Sequence, residues 1–403
     1  MTQPATLPKP FDAAYFQDPY STYARLRDQG AVHRVALPDS SPVWLVVKEA
    51  DVRAGLTDHR LSVNKAHAGS GYKGFSLPAA LDANLLNIDP PDHLRLRRLV
   101  SKAFTPRRID RLRQSVQGLC TQLVQQVVQR LRADGTADVI DILAAPLPLA
   151  VIGELLGIPE QDRQPFATWV GTMQVPSSAH DVTEAIAHIH RYLLDLIALR
   201  RREDDGNLIS GLITVRDNGD QLSENELLSL AFLILSAGTD STQHVISSGI
   251  LTLLQHPDEL EAIRQDPNLI PEAVEELLRY TTPNHTAIRR FPTEDITIAK
   301  TSIPAGDTVL LCLASAHRDP LRYPEPDRFD IRRTDKAHLT LGHGLHYCLG
   351  APLARMQVQV AIATLIQRLP CLELAVPAKD LAWRRSFRSH ALQQLPVTRG
   401  SSA

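Results

Sequence analysis

Gly342-His343-Gly344-Leu345-His346-Tyr347-Cys348-Leu349-Gly350 is the stretch on which the fold turns. One cysteine sits among three glycines, two residues after a histidine. Ala351-Pro352-Leu353-Ala354-Arg355-Met356 follows at once, a run of helix formers with a proline suited to a first helical turn. A cysteine just ahead of a helix N-terminus lies in a positive field that favours the thiolate, the form that binds metal. Taken alone, a single cysteine is more often a small buried hydrophobe. Glycines and a histidine at fixed offsets favour presentation to a flat ligand, because a glycine backbone can approach one closely.

Working outward, the 403 residues allow two or three domains by length and suffice for a sizeable core. A net charge of −2 gives no reason to expect bulk binding to nucleic acid or to an acidic membrane. The four cysteines, Cys120, Cys312, Cys348 and Cys371, lie far apart with no CxxC pair. That spacing argues against a zinc site or a disulfide framework and for a reducing compartment. Residues 1–10 are expected to be flexible, and with no apolar core they resemble neither a signal peptide nor a membrane anchor. No uncharged apolar run reaches the ~18 residues needed to span a bilayer. A soluble, cytoplasmic, monomeric protein is the expectation.

Helical periodicity dominates. Apolar residues recur every three or four positions over Ile109–Arg132. A second run spans Glu184–Arg202 and ends in Arg200-Arg201-Arg202. A third starts at Ser223, where Ser223 and Glu226 form a capping-box pattern, and continues to Gln255, roughly 50 Å of helix. It is apolar on most faces, which predicts an interior position. Strand signals are short: Val43–Val47, and a hairpin-like unit built from Thr297-Ile298, Ile303 and Thr308–Leu311. No linker separates domains, so one domain over 1–403 is expected.

Three constellations stand out. Ala237-Gly238-Thr239-Asp240-Ser241-Thr242 places glycine, an acid and hydroxyls inside an apolar helix, where glycine costs about 1 kcal/mol and a buried acid needs a partner. A polar kink made by back-bonding hydroxyls would account for it equally well. Glu276 and Arg279 are spaced i,i+3, ordinarily a surface ion pair of small value. Asp92-His93-Leu94-Arg95-Leu96-Arg97-Arg98 opens a basic helix on which His93 and Arg97 share a face.

Together these residues resemble the cytochrome P450 family over most of the chain. Leu341–Gly350 is similar to its haem signature, F-x-x-G-x-[HR]-x-C-x-G, with Leu341 in the place of the usual phenylalanine. The resemblance implies a mainly α fold, a helical prism around haem with a small β-rich lobe. It implies Cys348 as the axial thiolate on the haem iron. His93, Arg97, Arg290 and His346 would hold the haem carboxylates, with Leu341, Gly342 and Gly350 shaping the thiolate loop. Ala237–Ser241 resembles the A-G-x-[DE]-[TS] motif, so Ala237 and Gly238 would flank the dioxygen groove. Asp240, Ser241 and the neighbouring Thr242 would assist proton delivery, with Ser241 in the place of the family's threonine. Glu276 and Arg279 match E-x-x-R, and Arg328 matches the third, structural member of that network.

The implied activity is insertion of one oxygen atom from O₂ into a small- to medium-sized organic substrate, hydroxylation in natural-product biosynthesis. Electrons would come from NAD(P)H through ferredoxin reductase and an acidic ferredoxin docked near Arg95, Arg98 and Lys102, charges with no evident internal use. Oxidative coupling, peroxide-driven chemistry and a non-catalytic haem sensor or carrier are the rival readings. Family recognition segments would map to Ser62–Asn87, Thr168–Val182 and Ser386–Leu392, bearing His67, His180 and His390. His285, Arg289 and Arg388 are candidates to meet a polar or acidic substrate group.

Overall fold

The computed structural model describes residues 7–69, 71–72, 78–82, 84–174, 178–216 and 219–400. Residues 1–6, and 70, 73–77, 83 and 175–177 of the expected recognition segments, lie outside this set. In chain order the elements begin α1 (Ala13–Gln17), α2 (Pro19–Gln29), β1 (Val32–Ala36), β2 (Pro42–Val46), α3 (Glu49–Thr57), β3 (Leu61–Ser62) and α4 (Ala79–Asp82). They continue with α5 (Asp92–Ala103), α6 (Pro106–Asp134), β4 (Thr136–Asp138), α7 (Pro146–Leu156), α8 (Arg163–Gln174), α9 (Ala179–Arg202) and α10 (Leu208–Thr214). Then come α11 (Glu224–Gln255), α12 (Pro257–Gln265), α13 (Ile270–Thr281), β5 (Phe291–Pro292), β6 (Ile296–Ile298), β7 (Thr301–Ile303) and β8 (Val309–Leu311). The chain closes with α14 (Leu313–Ala316), α15 (Ala351–Arg368), β9 (Leu372–Leu374) and β10 (Pro396–Arg399).

The chain divides into two compact units. The first comprises Met1–Phe75, Ser247–Cys348 and Val376–Leu395. Its main sheet runs β1-β2-β8, with β1 antiparallel and β8 parallel to the central β2. Val43, Leu45 and Val46 are buried because a central strand of β-branched and aliphatic residues is covered on both faces. The expected hairpin is only partly present. Ile296–Ile298 pairs with Thr301–Ile303, whereas Val309–Leu311 leaves to join β2. A strand's local pattern shows its tendency to extend but not its partner. Of the terminus expected to be flexible, Pro8 is held to β1: its carbonyl accepts the Ala36 N–H at 2.9 Å.

The second unit comprises Ser76–Ile246, Leu349–Ala375 and Pro396–Ala403. Its longest element lying wholly within it is α6, whose Ile109, Leu112, Val116, Cys120, Leu123, Val127 and Leu131 are buried on one face. Thr105 caps it by accepting the Arg108 N–H, Pro106 opens it, and Gly135 ends it at φ +75°. α6 packs on α15, and α8 on α9. A small sheet, β4-β10-β9, completes the unit. α11 is 32 residues, about 48 Å long. Its capping box is formed as expected: the Ser223 N–H donates to Glu226 Oε2 at 2.8 Å and the Glu226 N–H to Ser223 Oγ at 3.3 Å.

Candidate functional site

The segment before α15 closes on itself. The Cys348 N–H donates to the Leu341 carbonyl at 2.8 Å, the Gly342 N–H to Leu339 at 2.8 Å, and the Tyr347 N–H to Gly344 at 3.1 Å. Gly342 and Gly344 adopt φ of +78° and +70°, a region that favours glycine. At Gly344 a Cβ would also come within 2.8 Å of Thr57 Cγ2. Pro352 lies in the first turn of α15, an 18-residue helix whose positive end follows Cys348. Cys120 and Cys312 are buried, and burial pushes their thiols up to about 11 and about 12. Cys348 is only partly buried.

α11 is buried from Leu227 to Leu253 except near its middle, where Leu233, Ile234, Ser236, Ala237, Gly238, Asp240 and Ser241 reach the surface. Thr242 is buried. Gly238 has a packing reason as well: a Cβ there would meet Ile152 Cδ1 of α7 at 2.4 Å. The Thr239 and Ser236 hydroxyls back-bond to Leu235 and Leu233, so the polar-kink chemistry is also present. His244 escaped the sequence reading. Its Nε2 lies 3.3 Å from Asp240 Oδ1, with side chains 2% and 36% exposed. The i,i+4 spacing of an acid and a histidine on one helix was the available signal.

Glu276 and Arg279 form a fully buried pair at 2.7 Å, both side chains 0% exposed. Arg279 also donates to the His317, Pro326 and Arg328 carbonyls. The third side chain on Glu276 is Arg333, whose Nε lies 3.3 Å from Oε1; the expectation of Arg328 is corrected. Arg328 offers the network only its carbonyl, while its guanidinium, 60% exposed, lies beside Glu325 and Asp330. One peptide carbonyl and a solvated side chain are what remain when the arginine five residues on takes the buried acid.

His93 is buried on α5, and Arg97, one turn later, is half-buried. Arg290 is buried; its backbone pairs with Val309 at 2.9 and 2.8 Å and its Nη1 donates to the Leu61 carbonyl at 3.3 Å. His346 ends the short turn Gly344–His346. Cys348, His346 and Arg290 belong to the first unit, and His93, Arg97, Ala237, Gly238, Asp240, Ser241, Thr242 and Gly350 to the second. The basic helix needs a further correction. Arg95 bonds Asp220 at 3.1 Å and also Glu226, Lys102 donates to the Arg216 carbonyl, and Arg108 to Ala103. These charges therefore have internal uses.

An iron porphyrin fits this donor set. A partly accessible thiol precedes a helix N-terminus in a loop shaped by left-handed glycines, and imidazole and guanidinium groups suited to carboxylates are present. The cytochrome P450 family profile matches residues 161–379. The monooxygenase PikC of Streptomyces venezuelae is 44% identical over 94% of this chain and 91% of its own length. Vitamin D(3) 25-hydroxylase of Pseudonocardia autotrophica is 41% identical over 97% and 96%. The ligand-free structure of the P450 monooxygenase TamI superposes with a TM-score of 0.90 at 41% identity, covering 98% of this chain and 94% of that one. Fold, donor set and relatives define a haem-dependent monooxygenase that takes its electrons from redox partners. The chain belongs to the cytochrome P450 family.

Proposed function

We propose that Cys348 is the axial thiolate of this monooxygenase and that residues 1–403 act as one catalytic domain around a single haem. The bound haem supplies dioxygen activation, with one oxygen atom going to substrate and the other leaving as water. Cys348 would hold the haem iron through its thiolate sulfur and supply it with electron density. His93, Arg97, Arg290 and His346 neutralise the haem carboxylates by charge-assisted hydrogen bonds. Leu341, Gly342 and Gly350 hold the loop, and Leu341 accepts the Cys348 N–H.

Asp240 passes protons from solvent along α11, and Ser241 and Thr242 orient them with their hydroxyls. The less buried face of 233–241, in an otherwise buried helix, supports this assignment by leaving Asp240 and Ser241 uncovered by protein atoms. His244 positions the Asp240 carboxylate. Glu276, Arg279 and Arg333 are structural. The substrate is a natural product oxidised at a C–H bond, in line with the hydroxylase among the relatives. An acidic ferredoxin docks on the exposed face of Arg98, Lys102 and Arg107, with Arg95 withdrawn into its own pairs and Lys102 keeping its bond to the Arg216 carbonyl. Among the described residues no helix is long and apolar enough to cross a membrane. The enzyme works as a monomer in the cytoplasm, beside the NAD(P)H that feeds its redox partners.

The observation that carries this proposal is the self-closed glycine loop presenting Cys348 ahead of α15. Replacing the ligand tests it. The Cys348→Ser protein, purified with haem supplied, should lose the thiolate-type band of the reduced carbon monoxide complex and all turnover. Persistence of that band excludes Cys348 as the ligand.

A further inference from the structure

Two arginines of the first unit are brought together by backbone pairing and lack an acid. The His285 N–H donates to the Arg388 carbonyl at 2.7 Å, and Asn284 bridges Ser389 in antiparallel fashion. The Arg384 N–H donates to Ala391 at 2.8 Å, so Arg388 sits in a turn pinned to the segment that carries Arg289. The Arg289 guanidinium carbon lies 5.6 Å from the centre of the Tyr72 ring, and Lys65 Nζ lies 4.5 Å from the same ring. Arg388 is exposed, and its pKa is lowered by partial desolvation and by Arg289, with Tyr72 opposing.

Among the described residues neither guanidinium makes an ion pair or a side-chain hydrogen bond. Arg279 is matched by Glu276, Arg318 by Asp327 and Arg333 by Glu276, whereas Arg289 is half-buried and Arg388 exposed, both open to an incoming anion. Asp39 is the acid that feels Arg289, but it is exposed and already accepts the Ser41 N–H at 2.9 Å. His285, a candidate for the same work, is excluded. It is fully buried, with Nδ1 3.3 Å from the Tyr15 hydroxyl.

We propose that Arg289 and Arg388, with Tyr72 beside them, form a clamp for a carboxylate on the substrate. Guanidinium matches carboxylate in a planar, bidentate fashion, and an anion relieves the repulsion between the two cations. A neutral molecule offers neither gain. The inference rests on the proposed haem site and on segment 386–392 bordering the substrate. It narrows the substrate class to acids.

The test uses haem-loaded enzyme and two matched pairs, dodecanoate with methyl dodecanoate and adamantane-1-acetate with its methyl ester. Binding is read both by calorimetry and by the haem absorbance shift. Each acid should bind about tenfold or more tighter than its ester. Arg388→Met and Arg289→Met should each erase most of that preference, and Arg388→Lys should keep part of it, with haem content unchanged throughout.

Equal binding of acid and ester, no binding of either acid, or a preference that survives the double Met variant overturns the clamp. Haem loss in Arg289→Met with the acid preference intact assigns that arginine to haem and also overturns it. If the parent lacks a thiolate-type carbon monoxide band, the haem assignment has failed, while calorimetry still reports on the clamp.

Discussion

Two helices of this chain each carry an acid and a base one turn apart, and the two pairs are opposites. In α13, Glu276 and Arg279 are wholly enclosed, and the pair is satisfied on every side. Glu276 Oε1 alone accepts from Arg279, Arg333 and the Asp330 N–H. In α11, His244 is buried but Asp240 keeps more than a third of its side chain uncovered by protein atoms. A buried polar network with every member bonded rigidifies a core. An acid held by a buried partner and open to solvent can still exchange protons, which chemistry needs and a structural pair does not. Similar spacing in the sequence thus encodes a lock in one helix and a relay in the other.

The sharpest way to break this contrast is to remove one charge from each pair. Glu276→Gln leaves Arg279 and Arg333 without their counter-ion, and should cost about 3–5 kcal/mol in urea unfolding and most of the haem-loaded yield. Asp240→Asn should leave the melting temperature nearly unchanged while turnover falls about 100-fold. If Asp240→Asn unfolds the protein and Glu276→Gln spares it, the two roles are reversed. His244→Ala should lower product formed per NAD(P)H consumed about tenfold, as loss of an outer partner does, with partial recovery in His244→Gln.

A smaller effect concerns pH. Burial depresses His285 and His317 well below 6.5 and His390 to about 4, Asp18 and backbone bonds opposing the last shift. The unfolded chain, with histidines near 6.5, takes up these protons first. Stability is therefore whole above that pH and declines as pH falls towards 4, by about 1.4 kcal/mol per pH unit for each histidine. Urea unfolding at pH 7 and pH 5 should show this, and His390→Phe should reduce the slope by one proton. The smallest expected change separates the arginines near the lock. Arg328→Ala should shift stability by no more than about 0.5 kcal/mol, because its guanidinium is solvated. A larger loss there than in Arg333→Ala would restore Arg328 to the network.

The family, the mainly α fold, the haem cofactor and the monooxygenase activity were all legible in short motifs, and the relatives bear them out. Helix ends were legible too, because the Ser223–Glu226 box and the Thr105-Pro106 start act over one turn. Spacing alone determines such features, since the interacting groups are covalent neighbours. Only the tertiary structure decided that Arg333 rather than Arg328 reaches Glu276, that β8 pairs with β2, and that His285 is interior while Arg388 lies near Arg289. These outcomes join residues tens to hundreds of positions apart. Which of two nearby arginines reaches a buried carboxylate depends on chain closure and packing, for which local sequence carries no term.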